Sequence, residues 1–356
     1  MNFRRILITG GAGFVGSNLA VLFRERFPDI AVTAVDNLKR RGSELALPRL
    51  KCHGAEFRHA DIRCAEDLED LPPFDLLIDC SAEPSVHVGT SGSPAYILNT
   101  NLNGTIACLE LARKRQAAVL FLSTSRVYPM AAVNGLSFTE EATRFRWRTC
   151  RDLRGFSEHG IAESFPVEGA RSMYGASKLA CELIIREFVS NYRLPALINR
   201  CGILAGPWQM GRVDQGVITL WCARHYYRRP LKYTGFGGAG KQVRDVLHVE
   251  DLFELVVRQM SAPARWDGSV YNVGGGNDMS VSLCELTEIC RRVTDHTVEL
   301  ACAPETNPLD LRIYVTDARA AREVFGWTPV QSVEQTVRDI YAWIRSDSER
   351  LESILA

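Results

Sequence analysis

A run of glycines sets the first limit on how this chain can fold. Thr9-Gly10-Gly11-Ala12-Gly13-Phe14-Val15-Gly16 follows the apolar triplet Ile6-Leu7-Ile8 and opens a stretch of helical period over 17–27. Glycines at such a turn let the backbone approach a pyrophosphate, while the helix amides and the positive end of the dipole stabilise the negative charge. A tight strand-to-helix turn without a ligand would use the same glycines, so the next strand matters. Asp36 closes that strand (32–35), twenty residues after Gly16. A carboxylate there can accept both ribose hydroxyl hydrogens and repel a 2′-phosphate, which points to NAD rather than NADP. Lys39, Arg40 and Arg41 follow, and suit either a phosphate or a solvated loop.

The first two hundred residues repeat one pattern. Short apolar runs at 6–8, 32–35, 76–78, 119–122 and 196–198 alternate with helical stretches such as 17–27, 102–115 and 177–192, as in a parallel sheet wrapped by helices. The spacing predicts an α/β fold with a doubly wound Rossmann sheet and a ligand beyond the carboxyl ends of its strands. After Gly206-Pro207 the pattern loosens into short pieces punctuated by glycines at 235–240 and 274–276, which suggests a smaller α+β lobe. We therefore expect an NAD-binding domain over 1–205 with a returning segment 243–262, and a substrate lobe over 206–242 and 263–356. A terminal helix is expected over 332–345, with a polar tail fraying beyond Ser346.

Lys plus Arg and Asp plus Glu each total 42, so no global field draws the chain to nucleic acid or to an anionic membrane. Any anion must be captured locally. Eleven cysteines with no C-x-x-C pair argue against a disulfide framework and a zinc site, and fit a reducing cytoplasm. The early glycines break the N-terminal apolar run before a signal segment can form, and no apolar run is long enough to span a bilayer.

Two further motifs carry chemistry. Tyr174-Gly175-Ala176-Ser177-Lys178 sets a phenol and an ammonium four residues apart, on one face of a helix. Such a cation favours phenolate over phenol, as a general base requires, although the spacing also arises by chance. Ser123-Thr124-Ser125 directly follows the apolar run 119–122. It is either a strand cap or a source of a hydroxyl for a reacting alcohol or carbonyl. Asp61-Ile62 is a candidate adenine contact or a plain surface turn. His87, His159 and His248 show no partner in the sequence and are read as incidental.

In this order the motifs resemble the extended short-chain dehydrogenase/reductase superfamily, of the NAD-dependent epimerase/dehydratase type, over nearly the whole chain. Thr9 to Gly16, the Ser-Thr-x-x-Val-Tyr run at 123–128, Tyr174 to Lys178 and Arg244-Asp245-Val246-Leu247-His248-Val249-x-Asp251 carry the resemblance. Within it, Asp214-Gln215-Gly216 and Gly240-Lys241-Gln242-Val243-Arg244-Asp245 are similar to the CDP-tyvelose (CDP-paratose) 2-epimerases. The resemblance implies Tyr174 as base, Lys178 as its activating cation and nicotinamide-ribose ligand, and Thr124 as the group orienting the substrate hydroxyl. It implies a dinucleotide site formed by Gly10, Gly13, Phe14, Val15, Gly16, Asp36, Asn37, Asp61, Ile62, Ser81, Ala82, Asn101 and Ser123, with Tyr174 and Lys178. Gln215, Arg244 and Arg312 would meet the nucleotide sugar, since the planar fork of Arg binds phosphate oxygens in pairs. A surface ion pair is the alternative for each arginine. Tyr233 is either a nucleobase platform or a lobe-core aromatic.

Two departures bear on the reaction. Related 4,6-dehydratases carry an acidic pair after the strand-end Thr, where this chain has Ser125-Arg126, so dehydration is disfavoured. Pro129 follows Tyr128 in place of the usual Gly, and Ala82 leads into Glu83-Pro84-Ser85-Val86-His87. The expected activity is NAD-dependent, redox-neutral epimerisation of a nucleoside-diphosphate sugar, a CDP-hexose at carbon 2, without a metal. Carbon-4 epimerisation, net reduction, or a nucleotide-sensing scaffold without catalysis are the alternatives. The helices at 102–115 and 177–192 resemble those that form a four-helix interface in the superfamily, which implies a homodimer or tetramer.

Overall fold

Seven strands, β1 (Arg5–Thr9), β2 (Ala31–Asp36), β3 (Glu56–His59), β4 (Leu76–Asp79), β5 (Ala118–Thr124), β6 (Ala196–Cys201) and β7 (Asp267–Val273), form one parallel sheet. Their order is β3-β2-β1-β4-β5-β6-β7. The computed structural model describes residues 3–90, 92–148, 153–212 and 215–356. Every residue of β4 and β5 is buried, which is why they read as apolar runs: helices cover both faces. One face packs on helices Phe14–Arg26, Val249–Met260 and Arg319–Phe325 around Leu19, Phe23, Leu252 and Trp327. The other packs on Gly104–Arg115 and Met173–Tyr192 around Leu109, Phe121 and Ile185. Strand order reverses between β1 and β4, so the connections leaving them part and open a crevice at the carboxyl edge.

The chain divides differently from the expected boundaries. β7, expected in the lobe, pairs with β6 from Ala196↔Asp267 to Cys201↔Val273. Helix Arg319–Phe325 follows it to the large sheet, with Phe325 against Tyr271 at 4.9 Å between ring centroids. Conversely Val243–His248, expected with the NAD-binding domain, is the centre of the lobe's own sheet. It pairs parallel with Ile203–Ala205 and Ile313–Tyr314 and antiparallel with Ser280–Ser282. β3 and β7 escape a pattern reading because edge strands need few apolar residues: β3 is Glu56-Phe57-Arg58-His59, and β7 opens Asp267-Gly268-Ser269.

The two layers are joined by short crossings. Strand Ile203–Ala205 begins two residues after β6 ends, and Val243–His248 runs directly into helix Val249–Met260, whose Phe253 packs on Phe23 at 5.0 Å. Helices Val217–Tyr226, Leu283–Thr294 and Val333–Ser346 enclose the lobe core of Trp221, Leu286 and Ile340. The second of these starts with a capping box between Ser282 and Glu285. The tail does not fray. Ser348–Leu355 is helical because Leu351 and Leu355 fall on one face and are buried, and Tyr227 Oη donates to the Ser348 carbonyl at 2.7 Å. No helix among the described residues is long and apolar enough to cross a membrane.

Candidate active site

Steric necessity shapes the turn after β1. Gly10 has φ +64°, and a Cβ there would come within 2.8 Å of the Cys80 carbonyl oxygen. A Cβ on Gly16 would stand 2.2 Å from the Gly10 oxygen. On Gly13 it would meet only the Gly10 carbonyl, its oxygen at 3.1 Å, so this residue leaves its outer side open. Helix Phe14–Arg26 then begins with no side-chain cap and no acidic residue in its first turn. Its leading amides and positive dipole end are therefore available to an anion, and a pyrophosphate fits the glycine cradle.

Asp36 stands behind this turn and accepts the Ala12 N–H at 3.2 Å and the Leu38 N–H at 2.8 Å. Burial pushes its carboxyl up, against the N–H donors of Leu38, Ala12 and Gly13. Lone pairs remain on the carboxylate for a ribose hydroxyl. Lys39 lies over the Tyr96 ring at 3.8 Å, and Arg41 donates to the Ser353 carbonyl at 2.8 Å, so both are engaged elsewhere. Arg40 lines the cavity and donates to the Met210 carbonyl at 3.0 Å.

A cavity of about 860 Å³ runs from the glycine turn along the carboxyl edge of the sheet into the lobe. Of the residues expected at the site, Gly10, Gly13, Phe14, Val15, Ala82, Ser123, Thr124, Tyr174, Lys178, Gln215 and Arg244 line it. Lys178 is only 2% exposed. Its ammonium donates to the Ser81 carbonyl at 3.4 Å and lies 4.4 Å from the Phe121 ring centroid. Ser81 is anchored in turn by Asp79, whose one oxygen accepts from Ser81 Oγ and Thr9 Oγ1 and whose other accepts from Thr105 Oγ1.

Thr124 ends β5, and its Oγ1 accepts the Arg126 N–H at 3.2 Å. Ser123, just before it, donates to Glu182 at 2.5 Å, and Glu182 forms a buried ion pair with Arg200 at 2.6 Å. Arg200 also donates to Tyr128 Oη at 3.1 Å, so the strand end is fastened on both sides of Thr124. The helix bearing Tyr174 starts at Ser172, whose Oγ accepts the Gly175 N–H at 3.2 Å. A Cβ on Gly175 would lie 2.0 Å from the Arg126 carbonyl oxygen, a close approach that seats the Ser125–Val127 turn against the helix at Tyr174.

Other expected site residues support the cavity from behind or stand apart from it. Asn37 Nδ2 donates to Asp61 at 3.0 Å, and Arg63, 2.5 Å from Asp61, holds that carboxyl well below its usual range. Ile62 is buried beneath Gly104. Asn101 exchanges hydrogen bonds with the Glu83 backbone and reaches Ser177 Oγ at 3.0 Å, shaping the 81–87 loop. Tyr233 is a lobe-core aromatic, parallel to Trp221 at 6.4 Å and donating to Thr287 at 2.7 Å. Arg312 does not reach the cavity: its guanidinium lies 4.1 Å from the Phe138 ring centroid and 5.1 Å from that of Phe236, and donates to the Asn134 carbonyl. Three clustered phenylalanines, with Phe145 at 5.9 Å, gather around that cation. Asp214 lies outside the described residues.

The cavity also holds Arg224 and Lys232, to which the sequence reading assigned no role. Among the described residues six Lys and Arg, namely Arg40, Arg126, Lys178, Arg224, Lys232 and Arg244, line it with one carboxylate, Asp310. That carboxylate is bound by Arg244 at 2.8 Å. A chain of zero net charge thus concentrates positive charge in one concavity, which suits a polyanionic ligand. His87 lines the same space. The side-chain oxygens of Gln215 and Gln242, also in the lining, are buried without a hydrogen-bond partner among the described residues, as groups awaiting a ligand would be.

Comparison with known proteins gives the family and the fold. The sequence pattern of the NAD dependent epimerase/dehydratase family matches residues 6–274. The chain is 29% identical over 352 residues to the CDP-paratose 2-epimerase of Salmonella typhi, covering 96% of this chain and 99% of that protein. It is 28% identical over 375 residues to a dTDP-glucose 4,6-dehydratase of Salmonella typhimurium, covering 98% and 95%. The crystal structure of UDP-glucose 4-epimerase from Thermotoga maritima, with UDP-glucose, shares the fold at a TM-score of 0.76 and 24% identity, covering 97% and 99%.

Proposed function

The chain belongs to the NAD dependent epimerase/dehydratase family, and on that premise we propose that it epimerises a nucleoside-diphosphate sugar, a CDP-hexose at carbon 2. One observation carries the choice of epimerisation over dehydration. Expelling water from a sugar calls for an acid at the leaving hydroxyl. The one carboxylate lining the cavity among the described residues, Asp310, is bound to Arg244, and Ser125 and Arg126 follow Thr124. What remains beside the dinucleotide cradle is Tyr174, Lys178 and Thr124, a set suited to moving one proton off a hydroxyl and back. The full-length likeness to a CDP-paratose 2-epimerase supports the finer assignment.

In this reading Gly10, Gly13 and the leading amides of helix Phe14–Arg26 hold the pyrophosphate, Asp36 the adenosine ribose and Lys178 the nicotinamide ribose. NAD, when bound, supplies the acceptor and then the donor of hydride. Tyr174 takes the proton of the sugar hydroxyl as hydride leaves the same carbon, and Thr124 Oγ1 orients that oxygen. The transient ketone turns over within the cavity, takes hydride back on its opposite face, and regains the proton from Tyr174. Donor and acceptor are restored in each cycle, so no external reductant is consumed.

The lobe serves as the substrate domain, with Gln215 and Arg244 as its contacts. Leu183 and Tyr192 on helix Met173–Tyr192 are 57% and 54% exposed. This supports self-association of the cytoplasmic enzyme through that helix and Gly104–Arg115. The reaction is tested with a panel of CDP-, UDP- and dTDP-hexoses, the CDP sugar carrying deuterium on carbon 2, and products read by NMR. The expected result is a CDP-hexose inverted at carbon 2 with the label retained in ordinary water. Inversion at carbon 4, net reduction, or loss of label to solvent would refute the assignment.

A further inference from the structure

Arg126 has no part in the mechanism above, yet it occupies its centre. It stands two residues after Thr124 and faces the cavity with Tyr174, Arg244 and Asp310. Its Nη1 donates to the Leu309 carbonyl at 3.2 Å, and among the described residues it makes no ion pair. Asp310 is taken by Arg244, whose other guanidinium nitrogen donates to its own Val243 carbonyl. Among the described residues Asp310 is the one carboxylate that lines the cavity beside these two guanidinium groups, and it is bound to Arg244. Burial first, and then the charge of Arg244, push the Arg126 guanidinium down to about 10, against Asp310 and Tyr174. Partly buried cations in excess of their counter-charges are costly until an anion joins them, and a guanidinium fork matches phosphate oxygens in pairs.

We propose that Arg126, together with Arg244, grips the phosphate borne on the anomeric carbon of the substrate and thereby places carbon 2 at Tyr174. The inference rests on the epimerase reading above and deepens it. In a sugar nucleotide the phosphorus is three bonds from carbon 2 and five from carbon 4. An anion anchor beside the base thus suits a reaction next to the anomeric carbon, whereas a carbon-4 site needs the phosphate across the ring. A sugar carboxylate next to carbon 4 is the other anion such a pair could hold, and the experiment separates the two.

The test is calorimetric titration of the NAD-loaded protein with CDP, UDP, CMP and UMP, and with UDP-glucose and UDP-glucuronic acid. Arg126→Gln should weaken both diphosphates about tenfold or more, the size of one hydrogen-bonded charge pair, and leave both monophosphates unchanged. Arg126→Lys, which keeps the charge but loses the fork, should fall between the two. Unchanged diphosphate affinity overturns the proposal, as does an equal loss for mono- and diphosphates. A loss seen only for UDP-glucuronic acid, and not for UDP-glucose, overturns it in favour of a carboxylate site. Should the Gln variant fail to fold, the Lys variant decides: an unaltered ratio of diphosphate to monophosphate affinity overturns the proposal. The diphosphate-to-monophosphate comparison uses two bases and no sugar, so its outcome is independent of the product assay that tests the epimerase assignment.

Discussion

Gly175→Ala adds a single methyl group where the structure has no room for it. In an open helix this change stabilises by about 0.8–1.0 kcal/mol, since alanine is the better helix former. Here the new Cβ would stand 2.0 Å from the Arg126 carbonyl oxygen and 2.8 Å from its carbon, whereas real Cβ atoms essentially never come within 3.0 Å. The obstacle is backbone, so either the Ser125–Val127 turn or the helix start must retreat by at least 1.0 Å. Overpacking of this kind costs about 1–3 kcal/mol, which cancels or exceeds the propensity gain. The retreat also separates Thr124 and Arg126 from Tyr174, and a misplacement of about 1 Å costs roughly a hundredfold in rate. Three readings make the test: turnover followed by NMR, NAD content of the purified protein, and the melting curve. We expect a folded protein that keeps its NAD, melts no higher than the parent and turns over about a hundredfold more slowly. Parental turnover, or a melting temperature raised as in an open helix, refutes the reasoning.

Three further changes probe other parts of the molecule. Tyr174→Phe should keep its NAD while turnover falls by about 10²–10⁴, the scale of a lost general base; near-normal turnover removes Tyr174 from the chemistry. Glu182→Gln strands Arg200, whose side chain is 6% exposed, and should cost about 3–5 kcal/mol in denaturant unfolding; an unmoved midpoint would show that the pair is not holding the strand end. Burial would raise the Glu285 carboxyl, but Arg144 at 2.5 Å and the Ser282 N–H outweigh it and hold the group at about 2, against an ordinary 4.5. Its folded value is depressed, so it contributes up to about 3 kcal/mol above pH 4.5, which is lost as the pH falls toward 2. The melting difference between the parent and Glu285→Gln should therefore be constant near neutrality and narrow through that acid window; a pH-independent difference contradicts the ion-pair account.

Much of the fold is legible in the sequence wherever burial is complete. β1, β2, β4, β5 and β6 announce themselves because chain packed on both faces must be apolar. The glycine turn, the strand-end Thr124 and the Tyr174/Lys178 pair are local in sequence and short in reach, so their geometry follows from spacing alone. Edge strands β3 and β7 are less visible because β3 is mostly exposed and β7 opens on the polar Asp267-Gly268-Ser269. The tail helix is missed because charged residues surround Leu351 and Leu355 and conceal the face that buries them. Arg312 illustrates a different limit. Its residue type suits a phosphate, but only the fold reveals that Phe138, Phe145 and Phe236, far apart in the chain, gather around it. Arg126 is the converse: its meeting with Arg244 and Asp310 joins three distant segments, and no periodicity records such a meeting.

The short crossings between the layers have a mechanical consequence. Gly202, between β6 and Ile203–Ala205, is wedged so tightly that a side chain there would lie 2.9 Å from Thr316 Oγ1, and Val243–His248 passes into its helix without a break. A clamshell opening would have to bend both junctions together, through packed material with no slack. The floor of the crevice between the sheet edge and the lobe is therefore braced rather than hinged.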